Sequence, residues 1–229
     1  MAKAKQADLF AKWDIPDKPD YQIEAKYASN GPVIGIDEAG RGPLAGPVTI
    51  AAFWINPVSQ RHLPEKLTDS KKLSHHQRKD IETQLCHPDF CHLWSVIHID
   101  VKDIDSLGIL QATFKGMQEV AADLAAQLTE KIDQRPFTAL IDGPLTPQAE
   151  CRCIAVTKGD RRSLSIAAAS VLAKQSRDRL MGELAQIYPD YGWQNNAGYG
   201  TKAHLDALKQ FGVTQHHRTS FAPVKKHLA

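Results

Sequence analysis

The chain has 229 residues, 42% hydrophobic and 24% charged, and its 28 Lys and Arg against 26 Asp and Glu leave a formal net charge of +2. This is the make-up of a globular protein long enough to bury a full core, and it leaves any affinity for nucleic acid to local patches. No apolar run approaches the ~20 residues of a membrane helix. Met1-Ala2-Lys3-Ala4-Lys5 leads into no apolar signal core, and Cys86, Cys91, Cys151 and Cys153 fit no zinc spacing, so a reduced cytoplasmic protein that binds no membrane is expected.

Residues 1–30 are polar and mixed in sign, with Pro16 and Pro19, and predict a flexible N-terminal extension. Val33 to Ile36 and Val48 to Ile55 read as strands, joined by the Gly- and Pro-rich stretch from Gly40 to Pro47. Leu93 to Val101 reads as a third strand. Ile104, Leu107, Leu110, Phe114, Met117, Val120, Ala121, Leu124 and Leu128 then recur every three or four residues, the spacing of one long amphipathic helix. Phe137 to Ile141 and Cys151 to Val156 are two short apolar runs. A helix is predicted from Leu164 to Ile187, and a last one from Lys202 to Phe211, stopped by Gly212. No repeat interrupts this order, which predicts an α/β layer structure with a mixed sheet.

Three of the apolar runs end in acid: Asp37-Glu38, Asp142 and, slightly farther on, Asp160. Strand ends gather on one edge of a sheet, where carboxylates can meet although distant in sequence. Mg²⁺ and Mn²⁺ favour such hard oxygen ligands, and two ions roughly 3.5–4 Å apart serve phosphodiester hydrolysis. Simpler readings stay open. Asp142 before Gly143-Pro144 suits a turn, Asp160 suits a helix N-cap, and Asp37-Glu38 suits a solvated loop. Successive strand residues also face opposite ways, so Asp37 and Glu38 share a site only if the strand bends or stops, which Gly40 and Gly42 would permit.

The stretch Gly35-Ile36-Asp37-Glu38-Ala39-Gly40-Arg41-Gly42-Pro43-Leu44-Ala45-Gly46 resembles the opening motif of the bacterial type 2 ribonucleases H, the ribonuclease HII family. Further matches follow in the family's order: Asp69-Ser70-Lys71-Lys72-Leu73-Ser74, Leu140-Ile141-Asp142-Gly143, Lys158-Gly159-Asp160, Ala168 to Lys174, Arg177-Asp178, Gly198-Tyr199, and His216-His217-Arg218 with Ser220-Phe221.

The resemblance implies a ribonuclease H-like mixed five-stranded sheet flanked by helices, a catalytic domain over 31–190, and a C-terminal helical extension over 191–229 that completes the substrate cleft. It implies cleavage of RNA in RNA–DNA hybrids and nicking of DNA 5′ of an embedded ribonucleotide, by two Mn²⁺ or Mg²⁺ ions held by Asp37, Glu38, Asp142 and Asp160. Gly40, Arg41 and Gly42 match the ribose-sensing loop, Ser70, Lys71 and Lys72 a phosphate-contacting loop, and Tyr199 the tyrosine beneath the ribose. The chain departs from the pattern at Pro144, Ala167, Ala197 and Ala222, none of them a metal ligand.

Gln6-Ala7-Asp8-Leu9-Phe10 resembles the peptide that docks bacterial replication proteins on the sliding clamp, with Gln6, Leu9 and Phe10 as its anchors; packing of Leu9 and Phe10 on the protein's own surface is the other reading. His75, His76, His216 and His217 read as free surface histidines without a role, and a monomer is expected. Presence of all four acids disfavours a non-catalytic nucleic-acid-binding protein. The short N-terminal segment disfavours a ribonuclease HIII-type enzyme, and the lack of a Gly-Lys-Ser/Thr ending disfavours a P-loop.

Overall fold

The computed structural model describes residue 10, residues 14–133 and residues 136–228. Five strands form one sheet: β1 (Val33–Ala39), β2 (Val48–Trp54), β3 (Leu93–Ile99), β4 (Thr138–Asp142) and β5 (Arg152–Val156), in the order β3-β2-β1-β4-β5. The pairs β1–β2 and β2–β3 are antiparallel, whereas β1–β4 and β4–β5 are parallel. The helices are α1 (Gln22–Tyr27), α2 (His75–Leu85), α3 (Val101–Leu107), α4 (Ile109–Ile132), α5 (Leu164–Ile187), α6 (Trp193–Asn196), α7 (Lys202–Phe211) and α8 (Ala222–Lys225). No helix among the described residues is long and apolar enough to cross a membrane.

Period-two alternation along the central strands divides the core in two. Ile34, Ile36, Val48 and Ile50 pack with Met117, Val120, Leu124 and Leu128 of α4, and Ala51 and Phe53 pack with the alanine-rich face of α5. Each such aliphatic side chain contributes about 1.5–3 kcal/mol on full burial. The second interface is unusually close. A Cβ on Gly35 would lie 2.2 Å from the Ile166 backbone nitrogen, so only glycine lets the first turn of α5 sit against β1.

Three local features differ from the sequence reading. The long helix is two, because Gly108 at φ 76° separates α3 from α4. Residues 75–85 form α2, opened by a capping box between Ser74 and Gln77, although this polar stretch has little apolar periodicity. Much of the expected N-terminal extension belongs to the fold. Ile23 and Tyr27 of α1 join Phe10, Val33, Leu140, Ile154 and Ile166 in a buried cluster, where aromatic and aliphatic burial outweighs the ordering of the segment. The buried Glu24 carboxylate accepts hydrogen bonds from Ser163 Oγ at 2.6 Å and from the Ser165 amide at 2.8 Å, fastening α1 to the start of α5.

Candidate active site

Parallel pairing of β1 with β4 places the first acids. The register sets Ile36 beside Ile141, so Asp37 and Asp142 come level on adjacent strands, which run about 4.8 Å apart. Alternation puts both on the Gly35 face, the side that α5 covers. Glu38 pairs with Ile50 and starts from the other face; its Oε1 receives Arg41 Nη1 at 3.3 Å. The strand neither bends nor stops between the two acids, since its ladder with β2 continues to Ala39 and Thr49. They lie instead at the rim of the sheet, β1 ending at Ala39. Asp160 arrives on the single 3-10 turn Gly159–Arg161 between β5 and α5. Asp142 Oδ1 accepts the Gly159 amide at 2.6 Å, which ties that turn to the end of β4. The N-cap of α5 is Ser163, whose side chain accepts the Ile166 amide at 3.1 Å, so the capping reading of Asp160 falls away.

The four acids share one field. Asp37, 6% exposed, is held well above the usual carboxylate range by burial and then by Asp142, Glu38 and Asp160. Burial and Glu38 push Asp142 up to about 6 against the Gly159 and Asp160 amides that stabilise its charge. Burial and the charges of Asp142 and Asp69 push Asp160 up to about 7. Burial raises Glu38 too, against the pull of Arg41 and Lys71. Lys71 is the cationic counterpart: burial lowers its pKa, but Asp37, Asp160, Asp69 and Asp142 together raise it. Lys71 and Arg41 together cannot balance four carboxylates, and the buried Glu38 Oε2 has no hydrogen-bond partner among the described residues. Among those residues no three acidic, histidine or cysteine side chains already form a ligand set. The excess negative charge and the orphaned oxygen nevertheless suit a hard divalent cation.

The loop after β1 stands beside these acids. Gly40 has φ +95°, and a Cβ there would lie 2.0 Å from Arg177 Nε. A Cβ on Gly42 would lie 3.6 Å from Tyr199 Cε1, so the loop and the 46% exposed tyrosine face each other across a narrow gap. Of the lysine loop, Lys71 and Lys72 are exposed, while Ser70 is buried and its Oγ accepts the Ser170 hydroxyl at 2.8 Å. The Ser70 side chain therefore braces the loop against α5 and is not presented at the surface. Gln6 and Leu9 lie outside the described residues. Phe10 is 0% exposed, edge-on to Tyr27, and its carbonyl accepts Arg162 Nη1 at 2.8 Å. As folded, Phe10 is a core residue and not an exposed anchor, because its ring has a pocket on its own chain.

A family model described as ribonuclease HII matches residues 34–224. The chain belongs to the ribonuclease HII family. A ribonuclease HII of Ruegeria sp. strain TM1040 is 46% identical over 213 residues, covering 92% of this chain and 87% of that protein. The ribonuclease H2 of Pyrococcus horikoshii OT3 superimposes with a TM-score of 0.62 at 26% identity, covering 85% of this chain and 96% of the other. Bst-RNase HIII, solved in complex with Mn²⁺, shares the fold with a TM-score of 0.66 at 19% identity, and 69% of that longer chain is covered. The ribonuclease H-like sheet expected from the motifs is therefore the fold observed, and the chain is a ribonuclease H-type endonuclease.

Sequence reasoning missed the groups that hold the ribonuclease HII loop in shape. Arg218, fully buried, donates to the carbonyls of Gly40 at 2.6 Å, Arg41 at 2.9 Å, Gly46 at 2.9 Å and Pro47 at 3.0 Å. Arg177 donates to Pro47, Ala45 and Ala197 at 3.0, 3.1 and 2.9 Å. The bond to Ala197 helps hold that residue at φ 47°, unusual for a side chain with a Cβ, just before Gly198-Tyr199. His217, expected on the surface, is 1% exposed, and burial lowers its pKa to about 4. Its Nδ1 accepts the Thr214 amide at 3.0 Å, which leaves the proton on Nε2, facing His204 Nε2 at 3.0 Å. That nitrogen also accepts Trp193 Nε1 at 3.1 Å, so His204 donates from Nδ1 to the Tyr199 carbonyl at 3.0 Å. Two neutral imidazoles thus fix the backbone that carries Tyr199. The signal in the sequence was only that Arg177 and His216-His217-Arg218 stand among the matched motifs; their partners are backbone carbonyls, which no side-chain pattern reveals.

Proposed function

We propose that this ribonuclease HII hydrolyses the RNA strand of RNA–DNA hybrids and nicks duplex DNA 5′ of an embedded ribonucleotide, leaving 5′-phosphate and 3′-hydroxyl ends. The observation that carries the reading is the gathering of Asp37, Asp142, Asp160 and Glu38 at one rim of the sheet, where Asp142, Glu38 and Asp160 all raise the proton affinity of Asp37, with Gly42 and Tyr199 facing one another nearby. The four acids would hold two divalent cations, Mg²⁺ or Mn²⁺. The chemistry supplied there would be a lowered pKa for the attacking water and charge neutralisation at the leaving oxygen. The chain's own groups supply position. Asp37, at the centre of the cluster, binds and orients, with Glu38, Asp142 and Asp160 around it. Lys71 and Lys72 attract the phosphate backbone. Gly40-Arg41-Gly42 brings backbone close to the sugar whose 2′-hydroxyl distinguishes RNA from DNA, and Tyr199, supplied by the C-terminal extension, packs under that sugar. Arg41 restrains Glu38 through their ion pair.

The test is cleavage of a DNA duplex carrying one ribonucleotide, with Mg²⁺ or Mn²⁺, by wild type and Asp37→Asn. The expected result is a 5′-side nick by wild type only, absent when the cation is chelated. Cleavage of a long hybrid alone would remove the roles given to Gly40-Arg41-Gly42 and Tyr199. Binding of both substrates without cleavage of either would return the chain to the non-catalytic alternative. Docking on the sliding clamp rests on the Gln6-x-x-Leu9-Phe10 pattern and requires Phe10 to leave its pocket. Leu9→Ala with Phe10→Ala should abolish clamp binding, and unaltered binding would end that reading.

A further inference from the structure

Cys151 and Cys153 stand at the entrance of β5, at the opposite end of that strand from the turn bearing Asp160. Spaced by two, they face the α4 side of the sheet, whereas Asp37 and Asp142 face α5. Their sulfurs are 3.8 Å apart, and both thiols are free and partly buried. β5 is an edge strand, and Cys151 borders an open groove of about 1010 Å³ lined by Ala121, Ala122, Ala125, Phe137 and Ala149. Cys151 is therefore approachable from outside, while Cys153, paired with Ala139 in the ladder, sits behind it.

We propose that Cys151 and Cys153 form a redox-active dithiol that small disulfides oxidise to an internal Cys151–Cys153 bridge. The Cys151 thiolate attacks one sulfur of the disulfide, forms a mixed disulfide and expels one thiolate. Cys153 then loses its proton to solvent and attacks Cys151 Sγ, expelling the second thiolate. The protein loses two electrons and two protons, and the small disulfide becomes two thiols. The order of attack follows from the pair itself. Cys151 borders the groove and meets the disulfide first, whereas Cys153 lies behind it within reach of Cys151 Sγ, and the contact between the two sulfurs lowers the pKa of Cys151 and raises that of Cys153. The sulfurs must close from 3.8 Å to about 2.05 Å. Cys151 lies just outside β5, after the irregular residues 143–150, so its backbone can yield while Cys153 stays fixed.

Oxidised glutathione is the probe, applied to the full-length Cys86→Ser/Cys91→Ser protein and read by intact mass and thiol counting. Both remaining thiols should disappear, the mass should fall by two hydrogens, and no glutathione should be retained. Adding Cys153→Ser should halt the reaction with one glutathione on Cys151, and adding Cys151→Ser should slow modification at least tenfold. Peptide mapping of oxidised wild type should show the same bridge, with Cys86 and Cys91 outside it. Persistence of both thiols, glutathione left on both cysteines, or an unmodified Cys153→Ser protein would overturn the proposal.

Discussion

Replacing Arg218 with methionine tests whether the loop at Gly40-Arg41-Gly42 is held from behind. The substitution keeps the volume and removes donors to Gly40, Arg41 and Gly46, whereas the Pro47 carbonyl retains Arg177. Each orphaned carbonyl costs about 1–3 kcal/mol, and relief from burying a guanidinium offsets several kcal/mol. A net loss of about 2–4 kcal/mol is expected, or a fall of about 5–15 °C in Tm for a chain of this size. Well below the new midpoint, nicking at a single ribonucleotide should fall about 10²-fold, the effect of roughly 1 Å of misplacement. Arg218→Lys should recover part of the stability, because one ammonium can meet some of the carbonyls but cannot reproduce the planar fork. Thermal unfolding and nicking assays on the three proteins decide the matter. A methionine variant with the wild-type midpoint and rate would show that the loop needs no such brace.

Three further outcomes follow from the same geometry. Asp142 and Asp160 have folded pKa values raised to about 6 and about 7, so they contribute stability that is present below the unfolded value and lost as pH rises through the folded ones. Chelated wild type should therefore lose on the order of a few kcal/mol between pH 4 and 8 relative to Asp142→Asn, and Mg²⁺ should restore part of it; parallel denaturation profiles would refute this. Gly35→Ala should displace the start of α5 and with it the Asp160 turn, costing about 1–3 kcal/mol or more in urea unfolding and most of the activity, because the added methyl meets backbone and not a movable side chain. Phe10→Ala should destabilise the protein by about 3–5 kcal/mol, read in the same way, and a neutral result would mean that the ring does not belong to the core.

Much of the site was legible because its signals are local. Acids at the ends of apolar runs, glycines around Arg41 and the order of the motifs all survive in the chain as written. The N-terminal segment was misjudged because polarity alone hides a few well-placed anchors: Phe10, Ile23 and Tyr27 are enough to fold it onto β4 and β5. His217 was misjudged for a related reason, since histidine is polar on paper yet closes a buried network when two neighbours supply matching donors and acceptors.

By itself the sequence determined the five strands, the long helices on the two faces of the sheet and the acids of the candidate site, since periodicity and residue chemistry are properties of short segments. Only the tertiary structure decided that Asp37 and Asp142 stand level, because that depends on the parallel register of β1 against β4. It also decided that Arg218, far along the chain, shapes the loop at Gly40, because a buried guanidinium finds its carbonyls only after the core has closed around them.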